Sequence, residues 1–217
     1  MDRQRERTAV IVGAGDFTDK NIREPFDLLI AADGGLAALE KTGLVPDVII
    51  GDFDSLGYIP EAAAAPELFV LPTEKDDTDM AAACRTAWEH GCRRLRIYGG
   101  SGSRPDHFLA NLQLAAHYSR EGGDVCLVTP SFTVYALTDG ALKLEAEPGT
   151  TFSVFSHRDE AEGVSITGGV KNAVSQIPFS NTCALGVSNE MTGGTAQVSV
   201  RKGTLLIFLY HSPEACG

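Results

Sequence analysis

The pattern of the chain changes near residue 130, and this change limits the possible fold more than any other feature. Before that point, short apolar runs typical of buried strands alternate with segments typical of helices, which predicts a parallel sheet flanked by helices. The predicted strands are Thr8–Val12, Leu28–Ala32, Val48–Ile50, Leu68–Leu71, Leu95–Tyr98 and Val125–Val128, and the predicted helices are Leu36–Lys41, Asp77–His90 and Asp106–Tyr118.

Beyond about Pro130 the sequence contains no convincing helix and is rich in Gly, Thr, Ser and Val. Short alternating segments separated by glycine-bearing turns predict a compact antiparallel β-sandwich. We therefore expect an α/β fold with a Rossmann-like parallel-sheet domain over residues 1–130 and an antiparallel β-sandwich domain over residues 131–217. The predicted strands here are Phe132–Leu137, Thr151–Phe155, Gly163–Ile166, Thr195–Val200 and Thr204–Tyr210.

Charge and cysteine content narrow the range of partners. The 217 residues include 18 Lys and Arg against 29 Asp and Glu, a formal net charge of −11, and no basic run, which argues against a nucleic-acid partner. The charged segment Met1–Arg7 lacks the apolar core of a signal peptide, and no apolar run is long enough to cross a membrane. The five cysteines are scattered and odd in number, which suggests free thiols. We expect a cytoplasmic protein with no membrane association.

The segment Val48-Ile-Ile-Gly-Asp-Phe-Asp-Ser55 carries the strongest chemical signal. Asp52 and Asp54 follow a predicted buried strand, and in an extended chain residues i and i+2 point to the same side. Two carboxylates about 4 Å apart repel by roughly 4 kcal/mol at an effective dielectric near 20, and a divalent cation such as Mg²⁺ would remove that repulsion. The alternative is a polar turn with an incidental pair of aspartates.

A second acidic cluster, Pro72-Thr-Glu-Lys-Asp-Asp-Thr-Asp79, follows the fourth predicted strand. Asp79 could complete a metal site begun by the Asp52–Asp54 pair, and Lys75 could neutralise a phosphate. Capping of the following helix explains Asp76 or Asp77 equally well, because acids are favoured near a helix N-terminus.

Two further loops follow predicted strands. Tyr98-Gly-Gly-Ser-Gly-Ser-Arg-Pro-Asp-His107 combines a glycine-rich loop with a predicted helix start, where backbone N–H groups and Arg104 could bind phosphate. Asp33, followed by Gly34 and Gly35, would suit a hydroxyl or amino group of a nucleotide, although Asp-Gly is also a common turn. The pair Gly13-Ala14-Gly15 lacks the third glycine of a dinucleotide fingerprint, and the chain contains no P-loop motif.

Taken in order, these motifs resemble the thiamine pyrophosphokinase family of bacterial type. The C-terminal half adds Leu185-Gly-Val-Ser-Asn-Glu190, which is similar to that family's Gly-x-Ser-Asn segment, so the resemblance runs from about Val10 to Phe208. The motifs that carry it are Ala-Asp33-Gly-Gly, Gly-Asp52-Phe-Asp54-Ser, Lys75-Asp-Asp-Thr-Asp79, Gly-Gly-x-Gly-x-Arg104-x-Asp106-His107 and Ser188-Asn189.

The resemblance implies a Mg²⁺-dependent transfer of a pyrophosphoryl group from ATP to thiamine, by a homodimer with active sites at the subunit interface. It makes residues 1–130 the catalytic domain and residues 131–217 the thiamine-binding domain. Eukaryotic members place a tryptophan against the thiamine ring, whereas Trp88 of this chain falls in a predicted helix. The implied metal ligands are Asp52, Asp54 and Asp79, and the implied thiamine contacts are Ser188 and Asn189. Asp106 is implied to lie near the transferred group. The residues implied to surround ATP are Asp33, Gly34, Gly35, Lys75, Thr78, Arg104, Asp106 and His107.

Three other functions fit part of the sequence. A haloacid-dehalogenase-like phosphohydrolase also places Asp-x-Asp after a strand and uses the first aspartate as nucleophile, but there the strand comes first in the chain and here it comes third. A non-catalytic nucleotide sensor could share the α/β core. The same chemistry could also serve another acceptor, such as a pterin alcohol.

Overall fold

A computed structural model describes residues 6–19, 22, 24–54, 57–61, 64–72, 77–102 and 104–211. The chain divides into two compact units, one of residues 1–111 and 127–129 and the other of residues 112–126 and 130–217, so the boundary runs through a helix and a strand. The division of function at residue 130 stays a prediction.

The first unit contains a parallel sheet. Its strands are β1 (Arg7–Val12), β2 (Leu28–Ala32), β3 (Val48–Gly51), β4 (Glu67–Val70) and β5 (Cys92–Tyr98), and its helices are α1 (Gly35–Glu40), α2 (Asp79–Glu89) and the start of α3 (Pro105–Arg120). The strands lie in the order β5-β1-β2-β3-β4, and all four pairings are parallel. This confirms the predicted alternation of parallel strands and helices.

Strands β2 and β3, in the middle of the parallel sheet, are buried because they are apolar along their whole length. Every residue of β2 is buried, as are Thr8–Val12 of β1. Such continuous apolar runs are typical of parallel strands that are covered on both faces. The loops that follow the strands then lie together at the carboxyl edge of the sheet, where open α/β sheets bind ligands.

The second unit is antiparallel. Strand β6 (Asp124–Val128) spans the boundary, and the unit's own strands are β7 (Phe132–Thr138), β8 (Ala141–Glu145), β9 (Thr151–Ser156), β10 (Glu160–Val170), β11 (Val174–Ser180), β12 (Gly186–Ser199) and β13 (Thr204–Tyr210). Strands β7, β13, β9 and β12 pair in that order, and β12 also pairs with β8 and with β10, which pairs with β11. The fully buried residues of its core include Phe152, Met191 and Ile207.

The described cysteines agree with the expectation of free thiols. Among the described residues, Cys84, Cys92, Cys126 and Cys183 are free thiols, the first three of them buried. Burial raises the pKa of the Cys84 thiol far above its ordinary value, and the nearby Asp77 carboxylate raises it further. In the described part of the chain, no helix is both long enough and apolar enough to span a membrane.

Candidate active site

Three aspartates converge where strands β2 and β3 end. Asp33 follows β2, and Asp52 and Asp54 follow β3. One carboxylate oxygen of each lies within 4.8 Å of those of the other two. The pairing of β2 with β3 brings the two loops together, and the Asp33 N–H donates to the Ile50 carbonyl at 2.8 Å. Three carboxylates at this spacing suit a divalent cation with oxygen ligands.

The chain turns between Asp52 and Asp54 and does not run on as an extended strand. Phe53 has a φ of +60° in the left-handed region and is 2 % exposed. The Asp54 N–H donates to the Asp52 carboxylate at 3.3 Å, which favours the turn. The expected convergence of the two carboxylates is confirmed, but the extended geometry proposed for it is wrong. The buried Phe53 side chain anchors the turn, and the aspartates on either side of it, Asp52 and Asp54, place their carboxylates in the same cluster.

Asp33, expected beside the nucleotide, belongs to the acidic cluster. It has a φ of +47° and is half-buried. A β-carbon at Gly51 would lie 3.0 Å from the Asp33 Cα, a contact so tight that Asp33 would have to shift by a few tenths of an ångström. Among the described residues the cluster holds Asp33, Asp52 and Asp54, and Asp79 is not part of it.

The second acidic segment lies partly outside the described residues, and Lys75 is one of those left undescribed. Thr78 is the N-cap of α2, and its side-chain oxygen accepts from the Ala81 N–H at 3.1 Å. Asp79 lies in the first turn of the helix, where a carboxylate is favoured by the helix dipole. Asp77 pairs with Arg85 at 2.7 Å. The structure thus gives Thr78 a capping role.

The two glycines after Asp33 allow α1 to start close to the first strand. Gly34 is the N-cap residue of α1 and Gly35 is its first residue. A β-carbon on Gly35 would lie 1.9 Å from the Val12 carbonyl oxygen, so no larger residue fits there. The packing of α1 on β1 explains Gly35 without a ligand.

Arg104 and Asp106 form an exposed two-point ion pair before and within the first turn of α3. The Arg104 Nη2 donates to Asp106 Oδ2 at 2.6 Å, and Nε donates to Oδ1 at 3.2 Å. This hydrogen bonding from Arg104 lowers the pKa of Asp106 to about 2 and raises the pKa of Arg104. The side chains are 62 % and 63 % exposed, and His107 beside them is also exposed. All three are accessible to a ligand.

The loop after β1, which contains Gly13-Ala14-Gly15, is hydrogen-bonded through its backbone to the glycine-rich loop after β5. The Gly15 N–H donates to the Gly99 carbonyl at 2.9 Å, and the Asp16 N–H donates to the Ser101 carbonyl at 2.8 Å. A β-carbon on Gly15 would lie 1.8 Å from the Ser101 oxygen. The Gly13-Ala14-Gly15 sequence is the feature that could have revealed this contact, because the close approach of the Ser101 carbonyl requires a glycine at position 15.

The predicted thiamine contacts lie in the second unit and differ sharply from each other. Ser188 is exposed and has a φ of +56°. Asn189 is 3 % exposed, and its side-chain amide donates to the Asn172 carbonyl at 2.8 Å while its oxygen accepts from the Asn172 N–H at 3.0 Å. The same oxygen also accepts from the Glu190 N–H at 2.9 Å. Asn189 therefore has a structural role in this conformation, and Ser188 is open to a ligand.

Known sequences and structures identify the family to which these features belong. A sequence model described as thiamin pyrophosphokinase, catalytic domain, matches residues 20–127. The matched region includes the three clustered aspartates, the α2 segment and the Arg104–Asp106 pair. The chain belongs to the thiamine pyrophosphokinase family.

Relatives of the family extend the similarity over most of the chain. The thiamine pyrophosphokinase of Bacillus subtilis is 28 % identical over 184 residues, which are 83 % of this chain and 86 % of that protein. Its crystal structure aligns with a TM-score of 0.80 at 26 % identity, covering 95 % of this chain and 100 % of the other. The thiamin pyrophosphokinase of Candida albicans shares the fold, with a TM-score of 0.78 at 12 % identity over 95 % of this chain and 90 % of the other.

Trp88 lies in α2, as predicted, and its ring lies 4.1 Å from the Arg93 guanidinium carbon. This cation–π contact occupies one face of the indole.

Proposed function

We propose that this chain transfers a pyrophosphoryl group from ATP to thiamine, giving AMP and thiamine diphosphate for thiamine diphosphate biosynthesis. The observation that carries the proposal is the cluster of Asp33, Asp52 and Asp54 at the carboxyl edge of a parallel sheet, in a chain of the thiamine pyrophosphokinase family. The relatives named above are thiamine pyrophosphokinases.

The donor set of the cluster fits Mg²⁺. The ion prefers hard oxygen ligands and binds proteins through a few carboxylates together with phosphate oxygens. Asp33, Asp52 and Asp54 would hold it, and Asp79 is the further ligand implied by the family resemblance. When bound, Mg²⁺ supplies neutralisation of the phosphate charge. The three carboxylates repel one another without a cation, and this repulsion supports a metal role.

Arg104 and Asp106 would act on the polyphosphate and on the attacking hydroxyl. A phosphate can replace the Asp106 carboxylate as the partner of the Arg104 guanidinium, because both offer two oxygens to its fork. The released Asp106 would then accept a hydrogen bond from the thiamine hydroxyl and orient it toward the β-phosphorus, with AMP as the leaving group. Lys75 and His107 are proposed as further contacts to ATP.

The first turn of α3 would add backbone donors to this side of the site. Helix α3 has 16 residues and begins at Pro105, whose ring fits the first helical position. Free N–H groups in a first turn favour an anion. Gly34 is proposed to permit close approach of a nucleotide and Gly35 to hold the start of α1 beside it, and Thr78 is proposed to contribute to the ATP site as the cap of α2.

Ser188 is the proposed contact to the thiamine heterocycle, because it is exposed and its hydroxyl is free to turn toward a ligand. Asn189, the second expected contact, would support the site through the segment at Asn172 that it holds. We propose further that residues 1–130 are a Rossmann-like catalytic domain and residues 131–217 a thiamine-binding β-sandwich. A cytoplasmic homodimer with active sites at the subunit interface is proposed from the family resemblance.

An assay of AMP formation tests the proposal. Purified protein with ATP and Mg²⁺ should release AMP when thiamine is added, and not when a pterin alcohol is added. Asp54→Asn should lower the rate on the order of 10³-fold, and Asp159→Asn, at an exposed acid of the second unit, is the matched control. ATP binding without thiamine-dependent AMP would favour a nucleotide sensor, and a covalent aspartyl-phosphate would favour a phosphohydrolase.

A further inference from the structure

Strand β12 contains a β-bulge beside the exposed Ser188. Gly186 pairs with Val154 of β9, and Asn189 pairs with Phe152, so the two residues between them on β12 lie opposite Ser153 alone. A bulge of this kind places two residues against one, redirects a side chain and is frequent beside ligand sites.

Ser153 fills the gap that the bulge leaves in the hydrogen-bond ladder. The Ser188 N–H donates to the Ser153 hydroxyl oxygen at 3.1 Å. Ser153 is 6 % exposed, whereas Ser188 is exposed and has a φ of +56°. The left-handed region is unfavourable for a serine, so an interaction from outside the residue has to hold it there. The buried hydroxyl of Ser153 provides that interaction.

The other end of the bulge is also fixed. Asn189 comes directly after Ser188, and its amide closes on the backbone of Asn172 through two hydrogen bonds of 3.0 and 2.8 Å. The bulge therefore has a buried hydroxyl on one side and a buried amide on the other. Between them, the backbone of Ser188 is held in place, and its side chain stays accessible.

We infer that Ser153 is a positioning residue for the acceptor substrate, acting through the Ser188 bulge and without touching thiamine itself. The inference rests on the proposed function, in which Ser188 contacts thiamine. Ser153 lies in the middle of β9, outside every motif of the sequence, and its role depends on the pairing of β9 with β12.

The test compares Ser153→Ala with Ser165→Ala. Ser165 is a matched control because it is 8 % exposed, lies in a strand of the same unit and accepts a backbone N–H, from Gln176, at 3.0 Å. We expect Ser153→Ala to raise the KM for thiamine roughly three- to tenfold, the range expected for one lost hydrogen bond, and to leave the KM for ATP unchanged. Ser165→Ala should change neither. Ser153→Thr, which keeps the hydroxyl, should restore the thiamine KM.

A double-mutant cycle separates positioning from general destabilisation. If Ser153 acts through Ser188, Ser153→Ala should have no further effect on the thiamine KM in a Ser188→Ala background. Additive effects, equal changes in both KM values, or a thiamine KM matching that of Ser165→Ala would overturn the inference while leaving the proposed function intact. A wild-type protein without thiamine-dependent AMP formation would instead overturn the proposed function, and the inference with it.

Discussion

Gly51 lies so close to Asp33 that a β-carbon at position 51 would be 3.0 Å from the Asp33 Cα and 3.1 Å from its Cβ. The glycine at the end of β3 therefore sets where the carboxylate after β2 can lie. This contact between neighbouring parallel strands links the backbone of the sheet to the geometry of the acidic cluster.

We expect Gly51→Ala to weaken metal binding without unfolding the protein. The new methyl group would displace Asp33, whose carboxylate belongs to the cluster. A loss of about 1.4 kcal/mol in metal-binding free energy corresponds to a tenfold change in affinity, and we expect the apparent Mg²⁺ affinity to fall about tenfold. The Mg²⁺ dependence of AMP formation measures this. Gly140→Ala is the control, because its new β-carbon would meet nothing closer than 3.4 Å. Unchanged Mg²⁺ dependence in Gly51→Ala would contradict the role assigned to this contact.

Asp33 should matter to the metal as much as Asp54 does. Asp33→Asn and Asp54→Asn each remove one carboxylate from the cluster, and each should lower turnover on the order of 10³-fold, since metal charge stabilisation is worth several kcal/mol. EDTA should abolish activity, and added Mg²⁺ should restore it. Binding of Mn²⁺, followed by electron paramagnetic resonance, reports on the site independently of activity.

The same Mn²⁺ titration distinguishes Asp33 from Asp79 as the metal ligand that joins Asp52 and Asp54. Wild-type Mn²⁺ affinity in Asp33→Asn would contradict the cluster as the metal site. Asp79→Asn tests the ligand that the family resemblance implies, and Asp159→Asn again serves as the control. Full activity of the wild-type protein in metal-free buffer would contradict any metal role for these aspartates.

The ion pair between Arg104 and Asp106 predicts a specific pH response. Hydrogen bonding from Arg104 lowers the pKa of Asp106 to about 2, below its ordinary value. The pair therefore favours the folded protein above about pH 4, where unfolded aspartate is ionised, and this contribution is lost as the pH falls toward about 2. Asp106 is fully ionised at neutral pH, so it should contribute no ionisation to the pH–rate profile between about pH 6 and 9.

Arg104→Gln should raise the pKa of Asp106 toward its ordinary value near about 3.9. Carboxyl-carbon NMR titration from about pH 3 upward would show Asp106 titrating in the variant and remaining ionised in the wild-type protein. Arg158→Gln, which removes an exposed arginine of the second unit, should leave Asp106 unchanged. An Asp106 that titrates identically with and without Arg104 would show that the pair does not persist in solution.

We expect substitution of Asn189 to lower the free energy of unfolding more than substitution of the exposed Ser188 beside it. Asn189→Ala removes a buried side chain that makes three hydrogen bonds, two with the Asn172 backbone and one from the Glu190 N–H, at a cost of about 1–3 kcal/mol in the free energy of unfolding. Urea denaturation measures the loss, and Asn181→Ala at an exposed position is the control. We also expect a larger rise in the KM for thiamine than for ATP, because Ser188 is adjacent. Equal effects on both substrates would count against an acceptor site here.

Local sequence patterns predicted most of the strands. The bounds of β2 and β13 match the predicted Leu28–Ala32 and Thr204–Tyr210, because both are strongly apolar runs. Strand β8 was not predicted, since only one of its residues, Leu144, is buried. Strand β11 was not predicted because it contains Pro178, which an edge strand paired on one side tolerates.

The parts of the site formed by residues close together in sequence were predictable. The parts that depend on the pairing of distant strands were not. Asp52 and Asp54 converge within a single turn, and their types and spacing are visible in the sequence. Asp33 joins them only because β2 pairs with β3. The hydrogen bonds of Asn189 to Asn172 and of Ser188 to Ser153 join residues 17 and 35 positions apart, so no local pattern could reveal them.

The proposed subunit arrangement predicts that two inactive variants can restore each other. If each active site takes its aspartates from one subunit and Ser188 from the partner, a heterodimer of Asp54→Asn and Ser188→Trp has one site with both wild-type halves and one with neither. A C₂ interface repeats the same contact twice, so each heterodimer should regain up to about one functional site in two. Subunit exchange is verified by mixing tagged and untagged chains, and AMP formation is measured before and after exchange. Absence of recovered activity after demonstrated exchange would mean that each site is built within one chain, and a fully active monomer would exclude the shared site directly.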